Sequence, residues 1–301
     1  MTHPGRVYAV VNQKGGVGKT TTSVNLAASL AASERTTLLV DFDPQANTTS
    51  AFGLGGSRPH VYDALIGECV MKEMTRGTEL RYLHLVPSGR DLYGAEIELV
   101  SAISRERRLE RALAEIRDAY EIVLIDCPPS LGLLTLNALT AADGIIIPLQ
   151  CEYYALEGLA GLLETVDLVR RELNPGLALE GVLLTMADSR NNLSRQVEDE
   201  VRRHFGPQVY RTVIPRNVRL SEAPSHGKPI LLYDARSTGA TAYLELASEM
   251  LQRLPAPRAP VAPPSPAFPG PETEAAPTPP PEPEPIVPTP SETESGDPHG
   301  H

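Results

Sequence analysis

Residues 14–21 read Lys14-Gly15-Gly16-Val17-Gly18-Lys19-Thr20-Thr21 and follow closely on the hydrophobic run Val7–Val11. Glycines in such a turn let backbone N–H groups approach an anion that a Cβ would obstruct, and a helix behind the turn presents its positive end to that anion. Lys19 supplies a flexible cation, and the Thr20 hydroxyl is an oxygen ligand of the kind that Mg²⁺ accepts. The order of strand, turn and helix therefore predicts a cradle for the phosphates of a nucleotide.

The turn departs from the common phosphate-loop pattern at its first position. Gln13 stands where that pattern has glycine, and a second lysine, Lys14, follows it. This form resembles the deviant Walker A motif of the ParA/MinD family of ATPases. The resemblance implies that residues 14–21 bind ATP with Mg²⁺. It also implies that Lys14 reaches across a dimer interface to the nucleotide held by the partner subunit, and that Lys14 and Lys19 both assist catalysis.

Carboxylates from two predicted strands are expected beside this turn. The run Leu38–Val40 ends in Asp41 and Asp43, and the run Ile122–Ile125 leads directly into Asp126. Ligands of open α/β sheets bind at the carboxyl ends of the strands, where these residues would lie. By the family resemblance, Asp43 polarises the attacking water, Asp126 is the Walker B aspartate, and Thr20, Asp43 and Asp126 form the metal site.

The rest of the folded part alternates short apolar runs with helical patterns. This alternation predicts βαβ crossovers and an α/β fold with a mainly parallel, doubly wound sheet carrying helices on both faces, as in ParA/MinD-like P-loop NTPases. The predicted strands are Val7–Val11, Leu38–Val40, Tyr82–Val86, Ile122–Ile125, Ile145–Pro148, Leu179–Leu184 and Val209–Ile214. The predicted helices are Ser23–Leu30, Glu106–Ala119, Leu133–Ala142, Gly158–Glu172, Leu193–His204 and Gly239–Leu254.

The composition changes sharply after Leu254. Residues 255–301 hold 17 of the 29 prolines and seven acidic residues against one arginine, so more than half of the net charge of −11 lies there. We predict an ATPase domain over residues 1–254 and a disordered Pro/Glu-rich tail with polyproline II character over residues 255–301. The tail is either a solvating extension or a segment that docks elsewhere, including on the DNA-binding surface as a mimic of DNA.

Other classes of protein fit the sequence less well. There is no run of 18 apolar residues and no charged start followed by an apolar stretch, so we expect a cytoplasmic protein without a membrane partner. A Rossmann oxidoreductase would need a third glycine in the turn, but Thr21 occupies that position. The chain therefore favours phosphate and metal chemistry over hydride transfer.

A second segment, residues 212–230, resembles the chromosomal ParA, or Soj, branch of the family. The resemblance implies that Pro215, Arg216 and Asn217 line the adenine pocket. It also implies that Arg190 and Arg219 contact DNA. Between Met186 and Ile230 eight lysines and arginines outnumber five acidic residues, and this excess is a weak sign of a phosphate-binding face.

The resemblance implies a complete functional cycle. ATP would drive homodimerisation, and the dimer would hold nonspecific double-stranded DNA on the nucleoid. A ParB/Spo0J-like centromere-binding protein would stimulate hydrolysis, and the cycle would drive chromosome segregation. Two alternatives stay open: a ParA-like ATPase that positions a protein cargo or a membrane-associated division factor, and a DNA scaffold that does not depend on hydrolysis.

Overall fold

The computed structural model describes residues 5–55, 58–152, 157–188 and 190–254, and the predicted tail lies outside these ranges. The strands are β1 (Arg6–Val10), β2 (Thr37–Asp41), β3 (Arg76–Gly77), β4 (Leu83–Val86), β5 (Ile122–Asp126), β6 (Gly144–Gln150) and β7 (Ala178–Thr185). The α-helices are α1 (Lys19–Ala32), α2 (Asn47–Ser50), α3 (Val61–Ile66), α4 (Met71–Met74), α5 (Leu92–Glu98), α6 (Arg108–Ala114), α7 (Leu133–Ala141), α8 (Glu157–Glu172), α9 (Asn192–Phe205), α10 (Val218–Glu222), α11 (Ile230–Tyr233) and α12 (Thr238–Arg253).

The strands form one sheet in the order β3-β4-β2-β5-β1-β6-β7, and the predicted parallel arrangement is confirmed. Only the short β3 is antiparallel to its neighbour among the strands of the described residues. Asp126 is in register with Val10 of β1 and with Asp41 of β2, so the carboxyl ends of the three strands lie side by side. Strands β2 to β5 lie on one side of β1 in the sheet, whereas β6 and β7 lie on its other side. The strand order therefore reverses at β1, and open α/β sheets bind their ligands at such a switch point.

Helices cover both faces of the sheet, as predicted. Along β1, Val7 and Ala9 belong to one apolar cluster, whereas Tyr8 and Val10 belong to a second cluster on the opposite face. This alternation is the period of two that an extended strand imposes. The second cluster includes residues of α1 and α12, and α1 packs along α12. The helix behind the glycine-rich turn is therefore fixed against the sheet.

The predicted strand Val209–Ile214 is wrong. This segment runs beside β7, and the N–H groups of Tyr210 and Ile214 donate to carbonyls of β7 at 2.9 Å. Among the described residues, however, it forms only an isolated bridge, at Val209 with Val182, and a second lies just beyond both elements, at Pro215 with Ala187. The backbone N–H groups of Arg211 and Thr212 donate instead to the Glu249 carboxylate of α12, at 2.8 and 2.9 Å. Because a strand needs those groups for its ladder, the carboxylate interrupts the pairing.

The predicted helix Glu106–Ala119 is also only partly correct. A 3₁₀ turn at Arg105–Arg107 leads into α6, and a second 3₁₀ turn covers Arg117–Ala119. Ile116 and Tyr120 are buried on either side of this second turn, and the Arg117 guanidinium within it donates to the Gly5 carbonyl at 2.8 Å. The other predicted helices are confirmed with small shifts at their ends. Among the described residues, no helix is both long enough and apolar enough to cross a bilayer.

Candidate functional site

The glycine-rich turn joins β1 to α1 in the conformation that its sequence requires. Gly16 and Gly18 have φ values of +76° and +89°, in the left-handed region that favours glycine. A Cβ added at Gly16 would meet no atom within 4 Å, so backbone conformation, rather than lack of space, requires glycine there. The Val17 carbonyl accepts a hydrogen bond from the Thr185 hydroxyl at 2.9 Å, which fastens the turn to the end of β7.

The two lysines of the turn point in different directions. Lys19 is only 7% exposed, and its Nζ donates to the Lys14 carbonyl at 3.1 Å across the turn. Burial lowers the pKa of Lys19, and the nearby charges of Asp126 and Asp43 act against this effect. The Lys14 side chain is 41% exposed, and its Nζ lies 3.0 Å from the carboxylate of exposed Glu152. Lys19 therefore faces into the cradle, whereas Lys14 lies at the protein surface.

Asp126 is fully buried at the end of β5 and is held by hydroxyl groups. Ser23 donates to its Oδ1 at 2.9 Å and Thr48 donates to its Oδ2 at 2.7 Å. Burial raises the pKa of Asp126 to about 6, although hydrogen bonds from Thr48, Ser23 and Thr20 act in the opposite direction. Sequence reasoning missed Ser23 and Thr48. Ser23 could have been found from its place one helical turn after Lys19, whereas no local signal marks Thr48.

Asp43 lies just beyond β2 and is nearly buried. Its carboxylate accepts from the Gln45 N–H at 2.9 Å, and its carbonyl accepts from the Ser88 hydroxyl at 2.8 Å. The preceding Asp41 is fully buried and accepts from both the N–H and the hydroxyl of Thr49. Burial, with the adjacent charge of Asp126, raises the pKa of Asp41 to about 8. Asp41 thus supports the loop that carries Asp43.

The structure brings the three predicted metal ligands to one edge of the sheet. Thr20 and Asp43 both lie close enough to Asp126 to act on the pKa of its carboxyl, which Thr20 lowers and the charge of Asp43 raises. All three offer hard oxygen atoms, the ligand type that Mg²⁺ prefers, and the hydroxyls on Asp126 fix the orientation of its carboxylate. The residues present therefore fit a magnesium ion that keeps several of its own waters.

The loop Pro215–Asn217 lies beside the segment that follows β7. The Arg216 N–H donates to the Ala187 carbonyl at 3.1 Å, and Asn217 caps α10 by accepting from the Arg219 N–H at 2.8 Å. Pro215 lines a groove of about 580 Å³ together with Asp188, Arg236 and Thr238, among others.

The same segment after β7 also contacts the glycine-rich turn. A Cβ at Gly18 would lie in ordinary van der Waals contact with the side chains of Thr185 and Met186. The backbone that supports the proposed adenine loop therefore adjoins the phosphate cradle.

Arg190 and Arg219 are exposed on turns and short elements outside the cradle. The Arg190 side chain is 88% exposed and pairs with Asp188 at 2.8 Å. The Arg219 side chain is 54% exposed and pairs with Glu222 at 2.8 Å and with Asp234 at 3.5 Å. Each guanidinium can therefore be reached from solvent, yet each has an internal carboxylate partner.

Comparison with known proteins gives consistent results. Residues 5–179 match the family described as AAA domain. The chain is 57% identical over 251 residues to the chromosome partitioning protein ParA of Myxococcus xanthus, covering 83% of this chain and 89% of that protein. It is 58% identical over 248 residues to the sporulation initiation inhibitor protein Soj of Bacillus subtilis, covering 82% and 98%.

The fold resembles a crystal structure described as cobyrinic acid a,c-diamide synthase from Mycobacterium smegmatis with bound ADP and magnesium. The two share 40% identity with a TM-score of 0.73, over 82% of this chain and 94% of the other.

Proposed function

We infer the function of this chain from one premise: the chain belongs to the ParA/Soj family of chromosome-partitioning ATPases. It is an ATPase, and its cofactors are ATP and Mg²⁺. We propose that it acts as a switch in which ATP joins two copies, the pair holds DNA, and hydrolysis separates them.

The residues of the cradle suit the hydrolysis of a triphosphate. Backbone N–H groups of residues 15–20 and the Lys19 ammonium would bind the phosphates, and Lys19 would offset charge that develops on the γ-phosphate. Thr20 and Asp126 would hold the magnesium ion, which would supply positive charge beside the phosphates. The Asp43 carboxylate, whose charge acts on both Lys19 and Asp126, would orient the attacking water. Turnover by one subunit should be slow until a partner completes the site.

The different directions of Lys14 and Lys19 carry the proposal of a switch. A lysine that served only its own nucleotide would be expected to turn inward, as Lys19 does, whereas Lys14 ends in an exposed ion pair with Glu152. Exposed pairs of this kind contribute little, about 0–1 kcal/mol, so Lys14 can leave Glu152 at small cost. We propose that Lys14 then reaches the phosphates of the facing subunit, so that each site is complete only in the ATP-bound homodimer.

DNA binding would follow from this pairing. Arg190 and Arg219 would contact phosphates of double-stranded DNA, and no element among the described residues suggests a reader of base sequence. A dimer doubles the number of contacts and converts two weak interactions into one strong interaction. The ATP-bound pair would therefore remain on the nucleoid until a ParB-like partner at centromere-like sites accelerates hydrolysis. Repeated cycles would segregate the chromosome.

The experiment that tests this function is co-sedimentation with mixed-sequence DNA in ATP, in ADP and without nucleotide, across a salt series. We expect retention only with ATP, and retention that falls steeply as salt rises. A Lys14→Ala chain should bind ATP but should not be retained. Equal retention in all three nucleotide conditions would contradict the proposed switch.

A further inference from the structure

Each of the two arginines proposed to contact DNA is already paired with a carboxylate of its own chain. Arg190 binds Asp188 through two parallel hydrogen bonds, from Nε to Oδ1 at 3.0 Å and from Nη2 to Oδ2 at 2.8 Å. Arg219 has the corresponding partners Glu222 and Asp234. This two-point geometry is also the one in which a guanidinium binds a phosphate, so a phosphate on the same edge of Arg190 must displace Asp188.

The fold holds the backbone at Asp188 in place independently of the Arg190 side chain. The preceding residue, Ala187, donates its N–H to the Ile214 carbonyl and accepts from the Arg216 N–H, both at 3.1 Å. The Asp188 N–H points at the Ser194 hydroxyl at 3.4 Å. The backbone that carries the carboxylate is thus fixed to the edge of the sheet, and the backbone N–H of Arg190 donates to Oδ1 at 3.0 Å, whereas the long Arg190 side chain is almost entirely in solvent. Arg190 can therefore exchange partners while Asp188 stays where it is.

The Asp188 carboxylate is a permanent charge under physiological conditions. Hydrogen bonds from the Arg190 side chain and backbone lower the pKa of Asp188 to about 2, and the charge of Arg216 acts in the same direction. A phosphate that approaches Arg190 or Arg216 therefore meets a fixed negative charge beside them. Attraction by the arginines is partly cancelled at close range.

We propose that Asp188 is a built-in counter-ion that competes with DNA phosphate for Arg190 and keeps the affinity of a single subunit for DNA low. This inference rests on the proposed function, because it assumes that Arg190 contacts DNA. Releasing an exposed ion pair reduces affinity by about threefold, within the range measured for such pairs. Since a dimer must release two, the reduction is about tenfold for the pair. Only the dimer, with its doubled contacts, would overcome it.

The test uses the full chain with Asp188→Asn. Asparagine keeps the Oδ1 acceptor for the Arg190 N–H, at 3.0 Å, and so keeps the turn, but it removes the charge. The matched control is Asp167→Asn on α8, which changes the net charge equally by breaking another exposed pair, with Arg170 at 3.1 Å. Affinity for a fluorescent mixed-sequence duplex is measured by anisotropy with an uncleaved ATP analogue and magnesium. Arg190→Ala is measured in parallel.

We expect Asp188→Asn to bind the duplex about tenfold more tightly than the natural chain at low salt, with Asp167→Asn close to the natural chain. The gain should shrink as salt rises, and it should disappear when Arg190→Ala is added. If Asp188→Asn matches Asp167→Asn while Arg190→Ala weakens binding, the counter-ion proposal fails and the DNA-binding role of Arg190 stands. If Asp188→Asn weakens binding, Asp188 positions Arg190 for DNA and the proposal is overturned. If Arg190→Ala changes nothing, both this proposal and the assignment of Arg190 to DNA fail.

Discussion

Glu249 of α12 fixes the segment that delivers the proposed adenine loop, and its removal should be costly. The nearly buried carboxylate accepts from the N–H groups of Arg211 and Thr212 at 2.8 and 2.9 Å, from the Thr212 hydroxyl at 2.9 Å, and from Arg253 at 2.8 Å. An unsatisfied buried N–H costs about 1–3 kcal/mol. Because the Arg211 side of the site is open to solvent, we expect Glu249→Ala to lower the free energy of unfolding by about 2–4 kcal/mol.

The assay is unfolding in urea, with Glu245→Ala as the control because Glu245 is exposed one turn earlier on the same helix. The midpoint should fall for Glu249→Ala and stay near that of the natural chain for Glu245→Ala, with similar slopes. Stabilisation by ATP should also weaken, because the Pro215–Asn217 loop loses its support. A difference of less than about 1 kcal/mol between the two variants would refute the reasoning, because it falls below the cost of one orphaned N–H.

The pH dependence of a second variant at this position, Glu249→Gln, provides an independent check. Burial acts to raise the pKa of Glu249, but the hydrogen bonds from Arg211, Thr212 and Arg253 outweigh it and leave the pKa below its usual value of 4.5. A carboxyl whose pKa is lowered by folding stabilises the protein fully above its unfolded pKa and loses that contribution as pH falls through its folded pKa. The difference between Glu249→Gln and the natural chain should therefore narrow below pH 4.5.

Three further variants test the cradle and the DNA surface. Lys19→Ala should remove the rise in melting temperature that saturating ATP gives the natural chain, about 5–10 °C, and a normal rise would contradict the placement of the phosphates. Asp43→Ala should still bind ATP but hydrolyse it at least about 100-fold more slowly, as phosphate release would record, and unchanged turnover would remove its assigned role. Arg219→Glu should reduce the slope of log affinity against log salt by about 2 for a dimer, whereas Arg170→Glu should not, and equal slopes would place the DNA surface elsewhere.

Local patterns predicted the centre of this fold well. The runs Val7–Val11 and Ile122–Ile125 are apolar because their strands are covered on both faces, and such strands are nearly always parallel and central. The segment Val209–Ile214 has a similar local pattern but is not a strand, since its donors are taken by a carboxylate 37 residues away from Thr212. A contact of that range leaves no local signal in the sequence.

The candidate site also has one part that the local sequence predicts and another that it does not. The phosphate loop could be predicted because its glycines and lysines act through neighbouring backbone. Two hydroxyl groups hold Asp126, and only that of Ser23, one helical turn after Lys19, lies at a position that the sequence could have indicated. Thr48 could not have been predicted, because it meets Asp126 only after α2 packs at the end of β5. The bond from Thr185 to Val17 joins residues 168 positions apart and depends on the complete sheet. Roles assigned to Lys14, Asp43, Arg190 and Arg219 are still predictions.

The central claim is that ATP joins two copies of this chain through Lys14, and the mass of the particle in solution tests it most directly. Light scattering should be recorded for the full chain with magnesium and an uncleaved ATP analogue, with ADP, and for Lys14→Ala with the analogue. We expect the mass to double only for the natural chain with the analogue. The same mass for the natural chain with the analogue and with ADP would contradict the claim.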